Sequence, residues 1–213
     1  MKNHSEQDES QERIIVANYS DVAQNWSIWA HQARKLKRAA EIILVQVRKD
    51  IETGLPDPEE RETFLELLLP LDAVYLSLIG MALENLLKGI CVLNDPSLID
   101  SERGEVKLKT HDVHSLATER LNLKLNEEES KFLEKLERYV TWEGKYPVPL
   151  KHTDYALKFP CYGDDTQGYK MISVPFEDCN YLLGPTPDFD LEKDPAMFNE
   201  LFERIISIQK TSQ

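Results

Sequence analysis

A lysine and a histidine, Lys145 and His152, stand with six residues between them in the most unusual segment of the chain. This segment, residues 141–152, also holds Tyr146, a glycine and two prolines that favour an extended backbone. A histidine can act as general base toward a ribose 2′-hydroxyl while a lysine stabilises the pentavalent phosphate. The pair is therefore a candidate catalytic site for phosphodiester cleavage, with Tyr146 as a candidate binding residue. A rigid loop with solvated charges is the alternative interpretation.

A second candidate group lies in the apolar segment MALENLLKG, where Glu84 and Lys88 are one helical turn apart. Because their neighbours are apolar on nearly all sides, the two charges must be paired, solvated in a cleft or functional. His111 is the expected partner of Glu84 across the fold, and Asp112 follows it directly. We expect these four residues to support the catalytic pair, and a purely structural pairing is the alternative.

The sequence predicts neither a metal nor a cofactor. His111 and His114 are three residues apart, but Asp112 is the one carboxylate that the sequence places with them, so a solvated or bundle-facing pair is favoured over a metal site. The chain has no glycine-rich phosphate loop and no HExxH motif. Its three cysteines include no CxxC pair, which indicates reduced thiols, with Cys91 in the core.

Apolar residues recur at spacings of three and four along several stretches, which predicts helices. The expected helices cover Asp21 to about Ile51, Pro58 to the low nineties, Thr110 to about Leu121, Asn126 to about Trp142, and Asp194 to about Ile208. We expect Thr110 and Asn126 to cap their helices, and Pro70 to kink or divide the second one. The predicted fold class is all-α, an up-and-down bundle of about five helices with a long irregular crossover before the last helix.

The domain organisation follows from the same pattern. Residues 1–18 are polar and acidic and predict a flexible leader. Residues 19–210 are expected to form a single helical domain. Within it, residues 144–194 are rich in proline and glycine and predict an irregular insertion, with a short strand or hairpin near Tyr169 to Val174.

The charge distribution restricts the partners. The 213 residues include 38 acidic and 25 basic side chains, a formal net charge of −13, which disfavours an undifferentiated nucleic-acid coat. The cations are concentrated in the first helix, where residues 13–49 hold seven basic and two acidic side chains. Arg34, Lys35, Lys37, Arg38, Arg48 and Lys49 therefore form either a solvated face or a surface that attracts RNA.

The apolar runs are shorter than the roughly 20 residues that a membrane span requires, so we expect no membrane-crossing segment. The beginning of the chain, MKNHSEQDESQER, lacks the basic and then apolar pattern of a secretory signal. We therefore expect a cytoplasmic protein.

Three short segments together resemble the HEPN superfamily of helical proteins, in particular its uncharacterised bacterial members. The segments are ALENLLKG at 82–89, HDVHSLA at 111–117 and WEGKYPVPL at 142–150, and the resemblance spans roughly residues 20–210. It implies a helical bundle that commonly forms a homodimer. It also implies a metal-independent endoribonuclease of a toxin, defence or RNA-processing system, with an arginine and a histidine in a composite site across the dimer.

The chain departs from that family pattern because it has no arginine followed by four to six residues and a histidine; Lys145 and His152 take those places. Lysine keeps the positive charge but lacks the fork with which arginine holds phosphate. The resemblance thus leaves two functions open: an RNA-cleaving or RNA-binding protein, and a non-catalytic protein-binding or scaffold module. The expected partners are a second copy, RNA, and a cognate antitoxin or neighbouring nucleotidyltransferase-like protein.

Overall fold

The structure is a computed structural model that describes residues 14–16, 18–53, 71–143, 173–176, 179–182 and 189–211. These residues form an all-α, bundle-like fold with two minor two-stranded sheets, which confirms the predicted fold class. The helices are α1 (Trp26–Thr53), α2 (Leu71–Asn94), α3 (Val113–Ser115, continued by a π-helical turn Leu116–Arg120), α4 (Glu127–Arg138, continued by a π-helical turn Tyr139–Glu143) and α5 (Lys193–Thr211). The antiparallel strand pairs are β1 (Ile99–Asp100) with β2 (Glu105–Val106), and β3 (Ser173–Phe176) with β4 (Cys179–Leu182).

The predicted first helix is interrupted at Asn25. Residues 18–24 are helical, but Asn25 interrupts the helix and α1 starts at Trp26. The Asn25 side-chain oxygen accepts hydrogen bonds from the Ser27 amide at 3.0 Å and from the Ser27 hydroxyl at 2.7 Å. Asparagine favours such a cap because its short side chain competes with the backbone for the first amides of a helix. The predicted continuous helix from Asp21 is therefore wrong at this position.

The helical chain also extends back into the predicted leader. Residues 14–16 and 18 are helical, and Val16 and Tyr19 lie beside Gly104 of the β1–β2 turn. Gly104 has a φ of +64°, a conformation in which glycine avoids the strain of a side chain. At Gly104 the backbone of the turn, with no side chain, therefore faces Val16 and Tyr19. Residues 1–13 of the predicted leader lie outside the described residues.

Helix α2 is the centre of the fold, as its apolar sequence predicts. Its two glycines allow neighbouring elements to approach closely on opposite sides. A Cβ atom at Gly89 would lie 2.7 Å from Trp29 Cβ and 2.8 Å from the Trp26 ring, and one at Gly80 would collide with Val140. The start of α1 therefore packs against the end of α2, and the two helices run antiparallel.

Both ends of α2 bear on the sequence predictions. Its last residue, Asn94, confirms the predicted end in the low nineties, whereas the predicted start near Pro58 and the kink at Pro70 lie outside the described residues. By length and composition α2 qualifies as a membrane-crossing helix, the single one among the described residues. However, 78% of its most apolar window is buried inside the protein, as in the core helix of a soluble protein.

The α4 helix forms at its predicted place. The Asn126 side chain accepts from the Glu129 amide at 2.9 Å, and the Glu129 side chain accepts from the Asn126 amide at 2.9 Å. This reciprocal capping box satisfies two backbone donors that would otherwise lack partners. The predicted cap and the predicted end near Trp142 are confirmed, with the last turn widened to a π-helix.

Two ion pairs join α4 to α5. Lys135 Nζ lies 2.6 Å from Asp194 Oδ1, and Arg204 Nη1 lies 2.8 Å from Glu129 Oε1. The order of these contacts shows that the two helices run antiparallel. The α5 helix covers its predicted range, and it buries the apolar residues Phe198, Leu201, Phe202 and Ile205.

Candidate functional site

The candidate site begins with a charged pair buried in α2. The Glu84 and Lys88 side chains are each about one-tenth exposed, and Lys88 Nζ lies 2.7 Å from Glu84 Oε1. Leu83, Leu86 and Leu87, their neighbours in the helix, are fully buried. An ion pair in such a setting persists because removing either partner would leave an uncompensated charge in an apolar environment.

His111 completes this group from another element. Its Nδ1 atom lies 3.2 Å from both carboxylate oxygens of Glu84, which confirms the predicted contact. The His111 side chain is 51% exposed, in contrast to the two buried charges behind it. The group Glu84, Lys88 and His111, which we call the buried triad, therefore reaches the protein surface through the imidazole ring.

Asp112 and Thr110 hold the chain that carries His111. The Asp112 carboxylate accepts from the Ser115 amide at 2.7 Å and caps α3, while the Thr110 hydroxyl accepts from the Asp112 amide at 3.0 Å. The predicted cap at Thr110 is wrong by two residues, because an aspartate three residues before a free amide is the better acceptor. Asp112 thus positions His111 through the backbone, and Val113 anchors the turn in the core.

The geometry of the triad determines what His111 can do. When Nδ1 donates to Glu84, the neutral ring has its acceptor lone pair on Nε2. Nε2 has no hydrogen-bond partner among the described residues. A carboxylate that orients a histidine in this way leaves the outer nitrogen able to accept a proton or to bind a polar ligand.

Two further titratable groups, one on α2 and one on α4, have shifted pKa values. Burial raises the pKa of the Cys91 thiol, an effect that Arg120 partly offsets, so this residue behaves as a core side chain, as predicted. Burial also raises the pKa of Glu137 on α4; the Asp112 carboxylate adds to this effect and His114 opposes it. Asp112 therefore affects α4 electrostatically besides capping α3.

Sequence reasoning did not single out Glu137. It lies in a helix where acidic and basic residues alternate, so no local pattern distinguishes it from its exposed neighbours. Within the described parts of the chain, no group of three histidine, cysteine, aspartate or glutamate residues could hold a metal ion.

The structure brings together part of the predicted site. Glu84, Lys88 and His111 are in direct contact, with Asp112 beside them. The catalytic candidates Lys145 and His152, together with Tyr146, lie outside the described residues.

No family model, curated protein or solved structure matches the chain. The resemblance to the HEPN superfamily therefore stays a prediction from the three sequence segments.

Proposed function

We propose that the protein is a HEPN-like protein that acts on RNA, as a metal-independent endoribonuclease or as an RNA-binding protein. The observation that supports this proposal is the buried triad, in which a buried carboxylate and lysine orient a half-exposed histidine. In the proposal Lys145 and His152 contact the scissile phosphate and ribose. Glu84, Lys88, His111, Asp112 and Tyr146 bind or position the RNA around them.

The arrangement of the triad suits contact with a sugar or a phosphate. Lys88 balances the charge of Glu84, so the pair presents little net charge behind the ring. The Nε2 atom of His111 can then accept a hydrogen bond from a 2′-hydroxyl when neutral, or donate one to a phosphate oxygen when protonated. No metal is needed for either contact.

The proposal extends to the assembly. A homodimer would bring two copies of the Lys145 and His152 segment to one composite site, and a cognate antitoxin or neighbouring nucleotidyltransferase-like protein would regulate it. Such a role belongs to toxin, defence or RNA-processing systems of the cytoplasm.

A fluorescent RNA cleavage assay in the presence of EDTA tests the catalytic form of the proposal. We expect wild-type protein to cleave, His152→Ala to be inert and His111→Ala to be strongly reduced. His31→Ala, which changes an exposed histidine on α1, serves as the matched control and keeps wild-type activity. If wild type and His152→Ala are equally inert at high protein concentration, the ribonuclease proposal fails.

A protein-binding or scaffold module is the second candidate function, and the net charge of −13 favours it because a polyanion is repelled by such a chain. Salt dependence separates the two. RNA binding through cations should weaken steeply between about 50 and 200 mM salt, since each neutralised phosphate releases counterions. A complete lack of RNA binding, or an affinity that salt leaves unchanged, would favour the scaffold function.

A further inference from the structure

The outward side of α1 carries large aliphatic side chains in contact with solvent. Ile28, Ile42 and Val45 are 48%, 66% and 55% exposed. Lys35 and Arg38, also exposed, lie between them in sequence. We call these five residues, Ile28, Lys35, Arg38, Ile42 and Val45, the outer stripe.

The spacing of the outer stripe places its members along one line of the helix. Positions 28, 31, 35, 38, 42 and 45 are separated by three and four residues, so the exposed His31 lies on the same line between Ile28 and Lys35. The opposite side of the helix holds the buried alanines Ala30, Ala33 and Ala40 that pack into the core. The outer stripe therefore has the spacing of three and four residues with which one helix packs along another.

Five of the six lysines and arginines of α1 fall into two groups. Lys37 pairs with Glu41 at 3.0 Å and lies over the Phe198 and Phe202 rings of α5, and Arg48 approaches Glu192 at 3.4 Å. These two cations therefore contact α5 or the residue before it. In contrast, Arg34, Lys35 and Arg38 are exposed and pair with no carboxylate among the described residues.

We propose that the outer stripe is the docking surface for an acidic amphipathic helix of a partner protein. The leucine or isoleucine side chains of such a helix would cover Ile28, Ile42 and Val45, and its flanking glutamates would pair with the cations of the stripe. The exposed cations favour an acidic partner, and the arrangement of the aliphatic side chains along the length of α1 suits a helix that lies beside it. This inference does not depend on the proposed RNA activity.

Two other occupants fit the stripe less well. RNA-binding surfaces combine cations with aromatic rings on which bases stack, whereas the apolar members of the stripe are aliphatic and would lose their favourable contacts against a phosphate backbone. A second copy of the chain would bring the same basic surface to the contact, because a twofold interface pairs a patch with itself. Lys35 and Arg38 would then face further cations.

The test uses two fluorescein-labelled designed peptides of about 18 residues, long enough for a helix of several turns. Both carry leucine at the seam positions; one has glutamate at the flanking positions and the other has lysine. Fluorescence anisotropy with the full-length protein measures their binding. We expect the glutamate peptide to bind and the lysine peptide to fail, with binding of the former reduced about tenfold or more by Lys35→Glu with Arg38→Glu.

The charge-reversed protein should bind the lysine peptide, which shows that it folds and that the stripe is the contact. Ile42→Ser with Val45→Ser should weaken binding of the glutamate peptide. The pair Arg103→Glu with Lys124→Glu, which changes two exposed cations outside α1, is the matched charge control that leaves this binding unchanged. The proposal is overturned if neither peptide binds or if the control pair weakens binding as much as the stripe variants. It is equally overturned if single-stranded RNA displaces the peptide from the stripe, or if light scattering shows that the stripe variants dissociate a dimer that excludes the peptide.

Discussion

Two networks of partly buried ion pairs, one between α4 and α5 and the other in the buried triad, differ in the partner at which each network ends. Between α4 and α5, Asp194 accepts from Lys135 at 2.6 Å and from the Asp190 amide at 2.9 Å, so both of its oxygens are occupied by partners inside the fold. In the buried triad, both Glu84 oxygens contact His111, whose outer nitrogen points away from the pair. The first network ends on a backbone amide, whereas the second ends on an exposed imidazole ring.

The difference shows what a buried carboxylate alone implies. Burial and pairing are shared by Asp194 and Glu84, so neither property distinguishes a structural ion pair from a site. The distinguishing property is the chemistry of the last partner: the Asp190 amide is a backbone donor already used by Asp194, whereas the exposed His111 ring keeps a second nitrogen with no partner among the described residues. Four variants test this contrast.

Replacing Asp194 by alanine should have the largest effect on stability. Lys135 would lose its carboxylate in a setting where its side chain is 14% exposed, and the Asp190 amide would lose its acceptor. We expect a loss of about 3 kcal/mol in the free energy of unfolding, measured with urea. The NMR signals of the His111 ring should stay unchanged; a change there would mean that the two networks are coupled.

Glu84→Gln should have a smaller effect on stability and a larger one on the ring. The amide can still contact Lys88 but no longer balances its charge, at a cost of about 2 kcal/mol. Long-range ¹⁵N–¹H correlation spectra should show a changed tautomer distribution of His111, because Nδ1 loses its carboxylate acceptor. Unchanged ring spectra would show that Glu84 does not orient the histidine.

Arg204→Ala should cost about 1 kcal/mol, since the arginine side chain is 41% exposed and solvent screens the pair. Burial alone would raise the pKa of Glu129, but the hydrogen bond from Arg204 and that from the Asn126 amide hold it below its usual 4.5. The stabilisation is therefore present above that value and is lost as the pH falls through the lower folded-state pKa. The difference between variant and wild type, measured by urea unfolding, should shrink from about pH 7 to about pH 3.

Glu137→Gln should have the smallest effect and the opposite sign. Burial and the nearby Asp112 carboxylate raise the pKa of Glu137, so the folded protein disfavours its ionised form. Removing this charge should stabilise the fold at neutral pH by less than about 1 kcal/mol. The gain should vanish below the ordinary pKa of glutamate, where both states are protonated. A stabilisation that is equal at neutral pH and below the ordinary pKa of glutamate would rule out the electrostatic explanation.

The parts of the fold with strong local signals could be predicted from the sequence. Asn126 and Glu129 form a capping box whose two members are three residues apart, so the start of α4 needs no tertiary information. The contact of Glu84 with His111 could also be anticipated, because a carboxylate in an apolar helix requires a partner from a neighbouring element. The observed distances of 3.2 Å agree with that requirement.

Other features depend on choices that the sequence leaves nearly equal. Thr110 and Asp112 are both good caps, and the choice between them depends on how the chain enters α3. At Asn25 the side chain accepts from Ser27 and breaks a helix that the apolar repeat alone would continue. The separation of α1 cations into structural and exposed ones depends on the position of α5, which no local pattern specifies.

The two glycines of α2 determine how neighbouring elements are positioned along this helix. The tryptophans of α1 pack closely against Gly89, and Val140 packs closely against Gly80. If either element moved along α2 by one helical turn of about 5.4 Å, these side chains would collide with larger side chains of α2. Glu84 and Lys88 lie between these two glycines in the sequence. The close contacts at Gly89 and Gly80 thus align α1 and Val140 with α2 by shape, independently of the ion pair that lies between them.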